Sequence, residues 1–436
     1  MSQLNIGILG DVVIDVTQFS SANETKMRLG GIAHAARGFW SLNCDYNVLY
    51  MAPEYLDQSI KDYLSKHGAI RVDKIGNVVG APYVFLIKEE KEIGDQGYEF
   101  LLRDNISIRY LSPDSQLILD DLLIISGNYD MNKIKSEYIS SGTRIHLDLA
   151  NNVNSFNCFD ELEIQFETIF LSTSSDIFRK HYAGDFVQFA KNFKDWANRI
   201  ILKENRGGAR GYDFSNDQVF LSGSHTQPIA HSVGVGDVYN SAYVTTYREL
   251  PFQEAMDFSS WMAAEYAVTT YPNDFKAAAQ RIINSFSQLK NIKGISLPWE
   301  QRKAINIYIA APDFDFLDVS EIDNVAASLL YHNFNPRRPV KENGQMPPEA
   351  SKETKRELHR KDMNLLRECK LMVAVLIGND PGTLIEIGLA KAMGMPVFVY
   401  DPFHIAENCM LTETPDLLSS DLDDIISEVF SKAASL

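Results

Sequence analysis

The chain has few cysteines, no long apolar run and no surplus of positive charge, and each lack removes a class of function. Its four cysteines, Cys44, Cys158, Cys369 and Cys409, lie far apart in 436 residues, with no C-x-x-C pair and no histidine pair beside them. Neither a disulfide framework nor a zinc site is expected, and the thiols should be reduced and mostly buried. No stretch reaches the ~18 consecutive apolar residues of a membrane span. The polar start "MSQLN" lacks a signal-peptide pattern, so a cytoplasmic protein without a membrane partner is expected. The net charge is −17. Nucleic-acid binders concentrate positive charge to displace counterions from phosphates, so nucleic acid is not an expected partner and small molecules are. No internal repeat or low-complexity tract is evident.

What is present is enough apolar material for large cores, 45 % of the chain, and a length that exceeds one domain at the usual ~100 to 200 residues each. Strand candidates "DDLLIISG", "RIHLDLA", "TIFLST" and "RIILKENRGG" alternate with helical stretches such as "DFVQFAKNFKDWANR". That is the rhythm of an α/β fold with a parallel sheet flanked by helices. The segment "GAPYVFLIKEEKEIGDQGYEFLLRD" breaks the rhythm with alternating apolar residues and reads as a small β lid. The stretch "SQLKNIKGISLPWEQRKA" is basic, contains Gly and Pro, and holds no sustained period, as a linker should. The expected division is a domain over 1–290, a linker over 291–303 and a second domain over 304–436.

The richest chemistry lies between Lys361 and Asn408. The run "LMVAVLIG" reads as a buried parallel strand, Pro381 and Gly382 as a turn, and "TLIEIGLAKAMG" as a helix with Glu386 near its first turn. Asp380 and Glu386 bracket "DPGTLIE", with Asp362 eighteen residues upstream of Asp380. In an open parallel sheet ligands bind at the carboxyl ends of strands, so three acids gathered at one strand end are placed for chemistry. A carboxylate can trap an oxocarbenium-like anomeric carbon covalently while a second acid serves the leaving group or the acceptor. The same spacing would also suit an ordinary turn followed by a helix-start acid stabilised by the helix dipole.

With "IYIAAP" on a first strand, this acid set and the "GT..E.G.A" helix, the segment from about Ala304 to the end resembles the nucleoside 2-deoxyribosyltransferase family. The resemblance implies a smaller Rossmann-like, flavodoxin-like parallel-sheet domain. It implies that Glu386 is the nucleophile attacking C1', that Asp380 and Asp362 hold the base and the sugar hydroxyls, and that Tyr308 orients the nucleophile. It also implies that Asn408, in "AENCML", is lent to a neighbouring subunit, hence a homo-oligomer. Transferases and hydrolases both belong to the family, so the acceptor stays open. Arg337, Arg338 and Lys341, in "NPRRPVKENGQMPPEA", offer a grip on a phosphate or form a solvated loop.

Upstream, "LNIGILGDVVIDV" supplies an apolar run with Asp11 and Asp15, and "RLGGIAHAARGFWSL" a diglycine, Gly30 and Gly31, that opens a helix. In "AHSVGVGDVYNSAYVTTY", Gly234, Val235 and Gly236 precede Asp237 at the start of an apolar helix. Consecutive N–H groups at a helix N-terminus form an anion hole for a phosphoryl group, and an adjacent Asp can take a proton from an attacking hydroxyl. A glycine-rich helix cap would read the same way.

These motifs, in this order, resemble the PfkB/ribokinase family of carbohydrate and nucleoside kinases from Ser2 to about Ser287. The resemblance implies a ribokinase-like sandwich with a β lid, and ATP with magnesium as donor. Asp237 would be the catalytic base and Gly234, Val235 and Gly236 the anion hole. Asp11, Asp15, Gly30 and Gly31 would contact the phosphoryl acceptor, and Lys203, Glu204 and Gly208 the nucleotide. Two positions depart from the pattern. His34 stands where relatives carry a substrate-binding Asn, and His231 near an Asp that often helps hold a monovalent cation. Both changes alter geometry and charge at the acceptor side.

Together the two halves read as a bifunctional enzyme of nucleosides, nucleotides or sugars. The C-terminal part would break or exchange an N-glycosidic bond, and the N-terminal part would phosphorylate a sugar or nucleoside. The alternative is a kinase-like lobe that senses a nucleotide without turnover and controls a glycohydrolase acting on a nucleotide such as NAD.

Overall fold

Apolar runs broken by glycine and charged turns give the described residues of the first part of the chain fourteen strands in the computed structural model. The structure describes residues 4–18, 25–80, 83–100, 106–113, 115–125, 127, 129–149, 153–160, 162, 164–225 and 227–436. The chain divides into two units, Met1–Lys91 with Gln96–Ser296, and Glu92–Asp95 with Leu297–Leu436. In chain order the strands of the first unit are β1 (Ile6–Asp11), β2 (Ile14–Thr17), β3 (Lys26–Leu29), β4 (Tyr46–Ala52), β5 (Ala69–Val79), β6 (Val84–Ile87), β7 (Glu99–Phe100), β8 (Ser107–Tyr110), β9 (Asp121–Ile125), β10 (Arg144–Asp148), β11 (Phe166–Ser172), β12 (Ala197–Lys203), β13 (Ala209–Asp213) and β14 (Gln218–Ser222).

Ten of them form one sheet in the order β14-β13-β12-β11-β10-β9-β1-β4-β5-β8. Every pairing from β12 to β5 is parallel, and the edges β13, β14 and β8 are antiparallel. β4 is buried at every residue, as a strand covered on both faces must be. Helices α1 (Ile32–Ser41), α2 (Val235–Thr246), α3 (Phe252–Ala267) and α4 (Pro272–Leu289) belong to this unit. α1 and α2 meet at Gly38, where an added β-carbon would overlap Ser241 Oγ. Phe39, Tyr46, Tyr50, Phe170 and Tyr243 fill the core beside them.

Four further strands make a small sheet, β3-β2-β6-β7. The opening run therefore splits between two sheets: Asp11 ends β1 of the large sheet and Asp15 lies in β2 of the small one. The expected lid is this small sheet, although its residues 81–82 and 101–104 lie outside the described ones. The long helix expected over "DFVQFAKNFKDWANR" is shorter. Asp185 caps a helix over Phe186–Lys191, three-residue turns bury Phe193, and Ala197 already pairs with β11.

The second unit carries β15 (Asn306–Ala310), β16 (Asn335–Arg337), β17 (Leu371–Val375), β18 (Val397–Tyr400) and β19 (Leu417–Ser419), ordered β16-β15-β17-β18-β19 and parallel throughout. Its helices are α5 (Trp299–Arg302), α6 (Ser320–Tyr331), α7 (Pro339–Asn343), α8 (Lys352–Glu368), α9 (Pro381–Ala392), α10 (Cys409–Glu413) and α11 (Leu422–Ala433). The strand order reverses between β15 and β17, which is where an open α/β sheet leaves a crevice. A large mixed sheet with helices and a small β sheet, followed by a smaller parallel sheet with helices, is the α/β architecture expected from the sequence.

The stretch 291–303, read as linker, contains α5. Arg302 there is fully buried, donates from Nε to Leu297 O at 3.0 Å and lies over the Phe430 ring. The expected burial of the thiols applies to Cys369 alone: Cys44 is half-buried, while Cys158 and Cys409 are exposed on short helical turns. Among the described residues no helix is long and apolar enough to cross a membrane.

Candidate active sites

In the second unit one tyrosine and two acids act on Glu386. Tyr308, in the middle of β15, is fully buried, and its hydroxyl donates to Glu386 Oε1 at 2.8 Å. Glu386 lies in the second turn of α9, because the helix begins earlier than its glycine suggests. Asp380 is the N-cap and accepts from Thr383 N at 2.7 Å and Thr383 Oγ1 at 2.8 Å. Pro381 and Gly382 are then the first helical residues rather than a turn, since proline at that position loses no intrahelical hydrogen bond. Asp362, on α8, accepts from Asn343 Nδ2 at 2.8 Å through Oδ1.

Each acid is thus anchored through one oxygen. Glu386 Oε2, Asp362 Oδ2 and Asp380 Oδ1 accept no hydrogen bond among the described residues. Burial pushes the Glu386 carboxyl up to about 7; the Tyr308 hydrogen bond opposes this, and the negative charges of Asp362 and Asp380 add to it. Burial and the Glu386 charge push the Tyr308 hydroxyl far above the usual phenol range, so it stays a donor.

Other expected residues of this unit lie elsewhere or are engaged. Asn408 is exposed and caps α10 by accepting from Met410 N at 2.9 Å. Arg338 grips the buried Asp313 with Nε and Nη2, both at 2.8 Å, and reaches Asp323 with Nη1 at 2.7 Å. Arg337 is paired in the same manner with Glu342 and, at 3.5 Å, with Glu368. The basic loop is therefore internally neutralised. Asn343 escaped the sequence reading because nothing in "VKENGQ" marks an amide that will meet an acid nineteen residues on.

In the first unit the motifs meet at the carboxyl edge of the large sheet. Asp11 ends β1, Asp148 ends β10 and Lys203 ends β12, while Gly234 caps α2 and Gly236 and Asp237 lie in its first turn. Gly234 has φ 81°, a conformation that side chains rarely adopt. The Asp237 side chain makes no hydrogen bond among the described residues. Burial pushes its carboxyl up to about 8, Asp148 adds to the rise and Lys203 opposes it. Lys203 Nζ lies 3.2 Å from Asp148 Oδ2, 3.0 Å from Asn240 Oδ1 and 3.5 Å from Gly236 O. Asn240 Nδ2 in turn donates to Asp148 at 2.6 Å. Asp148 was findable as the last residue of the strand "RIHLD", where ligand-facing groups gather; Asn240 carries no such signal.

The residues expected at a phosphoryl acceptor contact one another. His34, buried in α1, hydrogen-bonds Asp15 Oδ2 through Nε2 at 2.8 Å, and its Nδ1 lies 2.8 Å from Tyr266 Oη and 3.0 Å from Arg37 Nη1. A β-carbon at Gly30 would overlap the Asp15 carboxylate, and one at Gly234 would overlap the His34 ring. The space these two glycines leave is filled by Asp15 and His34. Burial pulls the His34 imidazole down to about 4, against the pull of Asp15. Gly31 forms the N-cap of α1 against the Asp11 carbonyl. Tyr83 donates to Asp11 Oδ2, and Asp11 N donates to Tyr129 Oη at 2.9 Å; Asp11 Oδ1 is buried without a partner, and burial pushes this carboxyl up to about 6. His231 is buried, donates to Thr269 O at 2.8 Å and has Arg28 at 3.4 Å from its other nitrogen.

Two residues expected at the nucleotide are engaged within the protein. Glu204 is buried in a two-pronged pair with Arg210, at 3.0 and 2.6 Å. Gly208 turns the chain with φ 93°, its α-carbon against Ser222 O. Magnesium, implied by resemblance, meets no group of three His, Cys, Asp or Glu side chains among the described residues. Asp148, the nearest acid acting on Asp237, is already held by Lys203 and Asn240. Asp148 keeps its other oxygen and Asp237 its whole carboxyl, which would hold a magnesium ion that takes its remaining oxygens from phosphate and water.

Residues 307–416 match the family model of nucleoside 2-deoxyribosyltransferase. This stretch carries Tyr308, Asp362, Asp380, Glu386 and Asn408. The chain is also similar to solved structures over its N-terminal part. These include phosphofructokinase-2 from Escherichia coli in complex with potassium, at 13 % identity over 64 % of this chain and 99 % of that one, TM-score 0.45. A nucleoside kinase of Burkholderia thailandensis in complex with inosine matches at 11 % identity over 66 % and 99 %, TM-score 0.45. Ribokinase of Arabidopsis thaliana complexed with ribose and ATP matches at 11 % identity over 64 % and 98 %, TM-score 0.44. Among curated proteins none matches the chain.

Proposed function

We propose that the second unit breaks or exchanges the N-glycosidic bond of a nucleoside or nucleotide, with Glu386 as nucleophile. One observation carries the reading: the buried Tyr308 hydroxyl fixes Oε1 of Glu386 and leaves Oε2 free, with the free oxygens of Asp362 and Asp380 belonging to the same acid group. In its ionised form Glu386 attacks C1' through Oε2. The C1'–N bond breaks, the base leaves with the bonding pair and takes up a proton, and a glycosyl ester forms. Water or a second base then attacks C1' and restores the carboxylate. Asp362 and Asp380 hold hydroxyls of the sugar or edges of the base. The test is mass-resolved analysis of products from nucleosides, deoxynucleosides, nucleotides and NAD, beside Glu386→Ala. Base release that disappears in the variant supports the reading, and intact substrates throughout would sink it.

For the first unit we propose a nucleotide-binding lobe, with phosphates at the turn Gly234 to Asp237. ATP-dependent phosphorylation of a sugar or nucleoside by Asp237 is one outcome of such a site. The His34 and Asp15 pair favours the other, a lobe that senses a nucleotide without phosphorylating an acceptor and regulates the glycosidic reaction. Substituting Asp237 separates the two: phosphoryl transfer lost with Asp237→Asn supports the kinase, and a wild type with no transfer to lose supports the sensor.

A further inference from the structure

We infer that the hairpin between β6 and β7 is a strap through which nucleotide held by the first unit acts on the second. This rests on reading the turn Gly234 to Asp237 as a phosphate site. The sides of the hairpin belong to the first unit, and its tip, Glu92–Asp95, belongs to the second. On the first-unit side Lys88 N and Glu89 N both donate to Gln96 O at 3.2 Å and close the hairpin below the tip. Gln96 Nε2 donates to Ser232 Oγ at 2.9 Å, and Ser232 donates to Glu90 O from N at 2.7 Å and from Oγ at 3.0 Å. Glu90 is fully buried, with Lys26 Nζ 3.3 Å from its Oε2, and Arg206 donates to Lys91 O at 3.1 Å. Ser232 leads directly into Gly234, the N-cap of α2, and its carbonyl accepts from Val235 N at 3.1 Å. A phosphate that shifts this turn therefore shifts Glu90 and Gln96, on either side of the tip.

The tip is fastened just as specifically inside the second unit. Tyr331 Oη donates to Glu92 Oε1 at 3.0 Å, and the fully buried His332 donates from Nε2 to Ile93 O at 3.0 Å. A β-carbon added at Gly94 would lie 3.5 Å from Ser328 Oγ. Glu92 has φ 54°, a conformation that its surroundings have to impose. A loop that only reverses the chain would be solvated and would need none of these bonds. Ser328 and Tyr331 form the last turn of α6, and His332 is its C-cap. About 18 Å away along this helix, its first turn carries Glu321, whose Oε2 accepts from Tyr400 Oη at 3.0 Å at the carboxyl end of β18. α6 thus runs from the hairpin tip to the sheet edge from which α9 and Glu386 begin, a contiguous path of bonded and packed groups.

The experiment is hydrogen–deuterium exchange on the full-length protein, with and without saturating ATP and magnesium, in wild type and in Glu92→Gly and Tyr331→Phe. Glycine accepts the left-handed φ, so the first variant removes the carboxylate without straining the tip, and the two variants break one contact from opposite sides. In wild type ATP should slow exchange about tenfold or more at residues 232–237 and also across α6. In both variants the protection at 232–237 should persist, while that of α6 should shrink about threefold or more, the scale of one lost hydrogen bond. Retained protection at 232–237 shows that the variant is folded and still binds ATP. Protection at 232–237 with α6 unchanged in wild type, or an α6 response undiminished in both variants, would overturn the strap while leaving the phosphate site. No protection at 232–237 in wild type would overturn both.

Discussion

Nε2 of His34 stands 2.8 Å from Oδ2 of Asp15, and the ring behind that bond rests on the α-carbon of Gly234. A side chain from α1 thereby joins an acid of the small sheet to the glycine that caps α2. The residues expected to receive a sugar are bonded to each other. Tyr266 and Arg37 close the other side of the ring, so the imidazole has no free nitrogen.

Replacing His34 by the smaller asparagine that the kinase pattern expects should reopen this space. His34→Asn is expected to raise phosphoryl transfer from ATP to ribose or a nucleoside above the wild-type level. It should cost about 1 to 3 kcal/mol of stability through the lost buried hydrogen bonds. Mass detection of the phosphorylated acceptor, beside a thermal melt, reads both. A variant that stays folded and transfers no more than wild type would show that His34 is not the obstruction.

Acid should destabilise the first unit early. Burial holds the imidazoles of His34, His225 and His231 down to about 4, 4 and 3, from an ordinary value of 6.5. As pH falls through 6.5 the unfolded chain takes up these protons first, so their stabilisation is complete above 6.5 and is lost progressively toward 4. Denaturant midpoints should therefore fall between about pH 7 and pH 5, and His34→Asn should flatten part of that slope. A midpoint independent of pH across this range would contradict buried neutral rings.

The glycosidic reaction should need Glu386 ionised. Its carboxyl sits at about 7, so the rate should climb with pH to a midpoint near that value and level off above it. Tyr308→Phe removes the one contact that lowers the Glu386 value, so the midpoint should move up and kcat should fall by roughly tenfold or more. Asp380→Asn removes a negative neighbour and should move the midpoint down. pH-rate profiles of the three proteins decide this, and an unmoved midpoint in Tyr308→Phe would argue against Glu386 as the titrating group.

Asn343 should matter more than its place in a loop suggests. Asn343→Ala releases the anchored oxygen of Asp362, so kcat/KM should fall about tenfold through KM, with the melting temperature changed by only a few degrees. Adding Asp362→Asn to this variant should cost less than it does in wild type. Additive losses in that double-mutant cycle would show that the amide does not work through Asp362.

The parallel rhythm, the small β sheet and the acids around "NDPGTLIE" were legible because they rest on short-range patterns: apolar period, turn residues and the rule for strand ends. What escaped was the pairing of individual side chains, near and far. Asp380 reads as a binding acid, yet one of its oxygens caps a helix. Glu204 and Gly208 read as nucleotide contacts, and nothing in the sequence announces the buried arginine and the close backbone approach that meet them. The basic loop reads as a phosphate grip until Asp313 and Glu342 are seen to hold its guanidiniums. No spacing rule announces a partner 25 residues away, as Asp313 is for Arg338.

The buried Arg302 sets where this chain can be dissected. A fragment designed to begin at residue 304 would discard the guanidinium that fills the space over Phe430 and hydrogen-bonds Leu297 O. It would leave an aromatic face uncovered and invite aggregation. Expression of the second unit as a free-standing protein should start upstream of Leu297, itself buried, so that the short helix travels with the Phe430 ring it covers.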